Sequence, residues 1–385
     1  MRIVVLTTDN REPHKDYANP QPHFGTAPAA LLQGLAMIPE IEVHVVSCIR
    51  QPVRSPEKIA ANTFFHSLVV PKIGWMKTLF QGCVRAARKK IQEIQPDIVH
   101  GQGTEADCSL SAIYSGFPNV LTLHGNMRSV ARTNGDAPFS YNWIAARLEN
   151  FVLPRTAGVF CNSAYTERLV APCASEIWRV PNAVRDLFFE TPLLPAPRAV
   201  PVFLNVATLT PYKRQREILA LAGNLWRRGL KFELHFVGTR ENRTAYGLAF
   251  ERELALAQAA GYARHIGILP TDQLIAAMDA ASALIHSPTE EAFGLVVAEA
   301  LARNLKFFGS TTGGIGDIAA GVEGAELFAP QNWTGMESAI AKWIETGGPR
   351  PVGAATVMRE RYHPQVVARR HLEIYRQVLG KIQSR

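Results

Sequence analysis

No apolar run in this 385-residue sequence is long enough to span a bilayer, and the first apolar stretch, Ile3 to Leu6, has a strand's length rather than that of an export signal's core. A cytoplasmic protein is therefore expected, peripheral on the inner membrane surface if it meets a membrane at all. Cysteine is scarce and unpatterned: Cys48, Cys83, Cys108, Cys161 and Cys173 form an odd set with no CxxC pair and no Cys/His grouping at zinc spacing. Reduced, mostly packed thiols are the expectation. No two aspartates stand two apart, so the DxD carboxylate pair that holds a metal in many sugar-nucleotide enzymes is missing. No GxxxxGK[ST] loop occurs, which argues against P-loop nucleotide hydrolysis. The first strand runs into Thr8-Asp9-Asn10, with no glycine before Gly25, so the glycine-rich turn of a dinucleotide fold is absent as well. Excess charge is small. Lys plus Arg number 41 against 33 acids, and the net +8 favours anionic partners without naming one. With 47% apolar and 19% charged residues and no low-complexity tract, disordered and fibrous classes are excluded.

What is present is an alternation of short β-branched runs with longer stretches of helical apolar spacing: Arg2 to Thr7 then Ala27 to Met37, then Ile41 to Val46, Asp97 to His100, Val120 to His124 and Gly158 to Cys161. The second half repeats the pattern with Val202 to Ala207, Phe232 to Val237 and Ala283 to His286. Such alternation predicts α/β architecture with parallel sheets and ligands at the carboxyl ends of the strands. Between Glu190 and Pro201 the chain carries Pro192, Pro195, Pro197 and Pro201 and no regular period, the best place for a domain boundary. Two domains are thus expected, residues 1–190 and 200–363, with the natural ligand site in a cleft between them. An amphipathic terminal helix is expected in 364–385. Trp75 to Ile91 reads as one basic amphipathic helix, which packs on its own sheet or lies on an acidic membrane.

The most informative stretch is Ala283 to Ala302: a strand, a polar turn, then a helix opening near Gly294. A helix start offers unpaired backbone N–H groups and a positive dipole to an anionic or hydroxyl-rich ligand. Glu291 stands just before that start, and Glu299 sits within the helix. Both can accept hydrogen bonds from one polyol. The alternative is that Glu291 merely complements the dipole and Glu299 is a solvated helix residue.

This segment, Glu291-Ala292-Phe293-Gly294-Leu295-Val296-Val297-Ala298-Glu299-Ala300-Leu301-Ala302, resembles the E-x7-E signature of retaining GT-B glycosyltransferases, specifically glycosyltransferase family four. Further matches keep the family's order: Pro96-Asp97-Ile98-Val99-His100, Thr122-Leu123-His124-Gly125, Val180-Pro181-Asn182-Ala183-Val184, Pro211-Tyr212-Lys213, Phe236-Val237-Gly238 and Thr312-Gly313-Gly314-Ile315. The resemblance implies two Rossmann-like domains facing each other across a cleft, with the terminal helix crossing back to the first. It implies a donor sugar on Glu291, a nucleotide ribose on Glu299, and the backbone of Phe293, Gly294 and Leu295 against sugar or diphosphate. Lys213 would neutralise the leaving diphosphate, and His124 would sit beside the donor sugar at the acceptor side. Gly25 and Thr26 would form the N-terminal loop near the phosphates, with Gly238 and Thr208 on the nucleotide side. Two departures stand out: Ala207-Thr208 replaces a Gly-Arg pair whose arginine meets the diphosphate, and Phe24-Gly25 replaces a double glycine. Arg214, Arg128 and Arg132 are candidates to supply the missing charge.

The implied reaction is glycosyl transfer with retention, in which the leaving phosphate takes the acceptor's proton. The protein orients the reactants and stabilises charge. No permanent cofactor and no obligatory metal are implied; the co-substrate is a nucleotide sugar, a UDP-sugar favoured with a GDP-sugar as the alternative. The loops Asp9 to Phe24 and Asn126 to Tyr141, with His14, Lys15, His23, Arg128 and Arg132, either select an anionic acceptor or are simply solvated. The resemblance adds a lipid-linked acceptor as an option, and nucleic acid is not an expected partner. A nucleotide-sugar epimerase of the same fold and a non-catalytic two-domain binding protein are the competing readings.

Overall fold

The computed structural model describes residues 1–193, 200–240 and 243–383. Its first sheet has eight strands: β1 (Arg2–Leu6), β2 (Glu42–Ile49), β3 (Lys58–Ala60), β4 (Thr63–Val69), β5 (Ile98–Gln102), β6 (Asn119–Leu123), β7 (Val159–Cys161) and β8 (Ile177–Arg179). They lie in the order β3-β4-β2-β1-β5-β6-β7-β8. Only the β3–β4 hairpin is antiparallel. Strand β1 reads as a near-continuous apolar run, and β5 is buried throughout although it carries His100 and Gln102, because both faces of a parallel sheet are covered by helices. The order reverses at β1 and β5, which opens a crevice at their carboxyl ends.

The second sheet is wholly parallel: β9 (Val202–Val206), β10 (Glu233–Val237), β11 (Ala263–Gly267), β12 (Ala283–His286), β13 (Lys306–Ser310) and β14 (Ala325–Phe328), in the order β11-β10-β9-β12-β13-β14. Here the order reverses at β9 and β12. The loops that follow those two strands carry Lys213 and Glu291.

The compact units are Met1–Arg185 with Tyr362–Arg385, and Asp186–Arg361. Asp186 to Pro192 are therefore tied into the second unit, which begins a few residues before the proline-rich stretch where the sequence suggests the boundary. The tie is Arg303, 1% exposed, which donates to the carbonyls of Phe188 (3.0 Å), Thr191 (2.7 Å) and Pro192 (2.8 Å) while paired with Asp279. Pro195 and Pro197 lie outside the described residues. The terminal helix, Pro364–Gln383, packs in the first unit. Val367, Ala368, Leu372 and Tyr375 join Leu31 and Leu35 of the helix Thr26–Ala36 in one core, and the Tyr375 hydroxyl meets His100 Nδ1 at 2.5 Å.

Two expectations are corrected. Trp75 to Ile91 is not one helix: Leu79 (φ 50°) and Phe80 (φ 62°) both take the left-handed conformation, and the helix begins at Gln81 and runs to Ile94. Its apolar stripe (Cys83, Val84, Ala87, Ile91, Ile94) is buried in the core with Val4, Val46 and Val99, so the sheet uses the face that a membrane would need. Asn126 to Tyr141 is largely helical: the Asn126 side chain caps Met127–Asn134, and Ser140 caps Tyr141–Val152. Asp9 to Phe24 is a loop, as expected, with one helical turn over Arg11–His14. Arg11, 1% exposed, pairs with Asp9 at 2.6 Å and donates to the carbonyls of Asn19 and Arg54. Among the described residues, no helix is long and apolar enough to cross a membrane.

Candidate active site

In the second unit, β12 ends at His286, and the turn that follows brings Glu291 back over the strand's end. Glu291 Oε2 accepts from Lys213 Nζ at 2.6 Å and from His286 Nε2 at 3.1 Å. Lys213 arrives from the loop after β9, a 3₁₀ turn over Pro211–Lys213, and the Thr289 N–H to Tyr212 carbonyl bond of 2.8 Å ties that loop to the Glu291 turn. Burial works against a charge on Glu291, but the His286 hydrogen bond and the Lys213 charge outweigh it and hold the carboxyl's pKa down at about 2. Burial likewise lowers His286, which is fully enclosed and neutral, so its Nε2 proton serves the carboxylate. The arrangement is an ionised carboxylate with a lysine at its side.

The Gly313-Gly314 pair frames the same turn. At φ +60°, Gly313 passes so close that a Cβ would lie 1.7 Å from the Glu291 carbonyl oxygen, and the Gly314 N–H donates to that oxygen at 3.0 Å. Phe293 is buried, Gly294 caps the helix with φ 99°, and Leu295 opens it, so a helix start follows directly on the Glu291 turn. Glu299 lies in this helix and is 4% exposed, which removes the solvated reading for it. Gly238 follows β10 and Thr208 follows β9; a Cβ on Gly238 would lie 2.1 Å from the Ala207 carbonyl, so those two strand ends nearly touch. Thr208 itself is exposed, and its carbonyl accepts from Gln215. No contact joins Thr208 or Gly238 to the Lys213–Glu291 pair among the hydrogen bonds of the described residues.

Of the arginines suggested to replace the diphosphate's missing partner, Arg214 is buried, donates to the Pro330 carbonyl at 2.7 Å and lies over Trp333. Arg128 donates to the Leu169 carbonyl and to Cys173, and lies 3.5 Å from Glu149. Both hold local structure. Arg132 is exposed.

In the first unit, His124 follows β6 and its Nε2 meets Gln102 Oε1, at the end of β5, at 2.9 Å. Burial lowers its pKa to about 4, so the ring is neutral near pH 7. Glu149, fully buried, fixes the two loops around it: it accepts from Thr104 (2.7 Å), Asn126 (2.7 Å) and the Met127 N–H (3.0 Å). Gly25 precedes the helix Thr26–Ala36, and Thr26 is exposed at its first position. Nothing in the fold demands glycine there: a Cβ would meet only Pro28, at 3.7 Å. His286, Glu149 and Gln102 are site residues that sequence reasoning missed. For His286 the signal was its place as the last residue of a strand five before Glu291. Glu149 lies mid-helix and gave none.

Residues 194–355 match the family model described as Glycosyl transferases group 1, and residues 29–186 match Glycosyltransferase Family 4. Among solved structures, the sucrose-phosphate synthase of Thermosynechococcus elongatus superposes with a TM-score of 0.76 at 17% identity, covering 99% of this chain and 100% of that one. HepE of Anabaena, in complex with UDP and glucose, gives 0.69 at 15% identity over 98% and 100%. A glycosyltransferase from Rickettsia africae gives 0.71 at 13% identity over 98% of each chain. At such identities the likeness is one of fold. A comparison with curated protein sequences returns no match.

Proposed function

We infer that this glycosyltransferase of GT-B fold moves a sugar from a nucleotide diphosphate to an acceptor hydroxyl with retention at the anomeric carbon. The observation that carries the reading is Glu291, kept ionised between Lys213 and His286 at the switch point of the second sheet. An ionised carboxylate accepts from two sugar hydroxyls at once, and His286 keeps it in place without adding charge. Lys213 shares its proton donors between Glu291 and the diphosphate; as the anomeric C–O bond breaks and negative charge grows on phosphate, the lysine's interaction strengthens. The positive end of the helix that starts at Phe293 to Leu295 adds to the same field, and Glu299 takes the ribose hydroxyls. The acceptor oxygen bonds to the anomeric carbon on the face the phosphate leaves, and its proton passes to a phosphate oxygen, so no side chain has to act as base. Neutral His124 gives its one proton from Nε2 to Gln102, which leaves Nδ1 to accept from a sugar hydroxyl. A metal at the donor is not required by this scheme, in keeping with the missing DxD pair. UDP is the favoured base, a choice supported by the ligand of HepE.

Thermal unfolding with UDP, GDP and ADP tests the donor assignment. A base present at about 100 times its Kd should raise the melting temperature by roughly 5–10 °C, and Glu299→Ala should reduce that rise. Equal shifts in wild type and variant would remove Glu299 from the site. Glu291→Gln should bind the nucleotide yet lose transfer by a factor on the order of 100 or more. Wild-type turnover in that variant would overturn the role given to Glu291.

A further inference from the structure

Three side chains remote in sequence meet on the carboxyl side of the first sheet. Cys48 comes from the end of β2, Cys83 from the first turn of the helix Gln81–Ile94, and Asp107 is the first residue of the helix Asp107–Ile113. All three are buried, and one ligand atom from each lies within 4.8 Å of the other two. A tetrahedral ion with metal–sulfur bonds of about 2.3 Å needs sulfur atoms roughly 3.8 Å apart, so adjustments of an ångström or less complete the geometry. Cys108 adjoins Asp107 and is 4% exposed.

A carboxyl group among thiols in an apolar core is costly. Buried charges are ordinarily paired or bound to a metal. We propose that Cys48, Cys83 and Asp107 bind one zinc-class divalent cation, with a water oxygen as fourth ligand. Sulfur with carboxylate oxygen at tetrahedral spacing is a donor set for zinc rather than for calcium or magnesium. On binding, the two thiols lose their protons to solvent and form two metal–sulfur bonds. With a neutral fourth ligand the site then holds two thiolates, one carboxylate and a dication, the same single negative charge that ionised Asp107 carries alone, now spread over four ligand atoms.

The ion's work is structural. It joins β2, the helix after β4 and the segment after β5. That segment is the one whose Thr104 donates to Glu149 and whose Glu105 carbonyl accepts from Tyr141 at 2.6 Å. The loop beside His124 is thereby fixed from its far end. Linear spacing could not reveal such a site, since its ligands come from three separate elements.

The test is an anaerobic titration of the full chain, reduced and freed of metal by chelator, with Co²⁺. The expected result is saturation at one Co²⁺ per chain, sulfur-to-cobalt charge-transfer bands with the visible bands of tetrahedral cobalt, and bleaching by one equivalent of Zn²⁺. Cys48→Ser, Cys83→Ser and Asp107→Asn should each weaken Co²⁺ binding at least tenfold, while Cys173→Ala leaves it unchanged. Native circular dichroism without sulfur–cobalt bands in the wild type would overturn the proposal even if every variant misfolds. So would bands that survive Cys48→Ser and Cys83→Ser but vanish in Cys173→Ala. None of these readouts depends on glycosyl transfer.

Discussion

Lys213 and Glu291 are each 16% exposed, close enough to the interior that neither charge is tolerated well without the other. The carboxyl's folded pKa, about 2, lies below its ordinary 4.5. A depressed carboxyl contributes stability that is fully present above the unfolded value and is lost as pH falls through the folded one, so this contribution disappears between about pH 4.5 and 2. Lys213→Met removes one of the two groups that hold the pKa down. It should cost about 2 kcal/mol in urea unfolding at pH 7 and much less at pH 2, where the wild-type carboxyl is half protonated. An equal loss at both pH values would mean that the lysine acts through packing alone. At this scale the sequence pointed to two charged groups that meet in the fold but not to what conditions them. Glu291 and Lys213 were legible from motif spacing, whereas the imidazole that fixes the carboxylate, the buried Glu149 behind His124 and the loss of Arg214 and Arg128 to local structure depend on contacts between distant segments.

Among elements, the strands with apolar runs were legible because burial on both faces of a parallel sheet leaves little choice of residue. The connections were less so. Phe80 and Leu79 end an apparent helix by taking left-handed conformations that apolar periodicity does not reveal, and Asn126 and Ser140 turn an apparent loop into two capped helices. The turn that carries Glu291 is held by such a connection: β13 returns through Gly313, whose backbone lies against the Glu291 carbonyl. Gly313→Ala places a methyl where no atom fits and forces a φ of +60° on a residue that resists it. A destabilisation of about 2 kcal/mol or more is expected, together with loss of the nucleotide-induced thermal shift, because the Glu291 turn has to move. Differential scanning calorimetry with and without UDP measures both. A variant of wild-type stability that still responds to UDP would show the turn to be held by other contacts.

At the scale of the whole chain, the last residues complete the first unit although everything between Asp186 and Arg361 belongs to the second. A boundary read from prolines misses this, because proline marks where regular structure stops and not which core a segment joins; Arg303 and its carbonyl partners decide that. Tyr375 shows how much of the first core rests on the terminal helix. It is fully buried, its ring packs edge-on against Phe160 and His100, and its hydroxyl bonds to His100. Truncation to alanine should cost about 3–5 kcal/mol, as for other buried aromatics. Since Lys213, Glu291 and Glu299 all lie in the second unit, the loss should fall on one unit only. Tyr375→Ala should lower the unfolding transition of the first unit while the UDP-dependent rise of the second persists, each followed by hydrogen exchange of its own strands. Collapse of both transitions together, with no response to UDP, would show that the two units fold as one cooperative body.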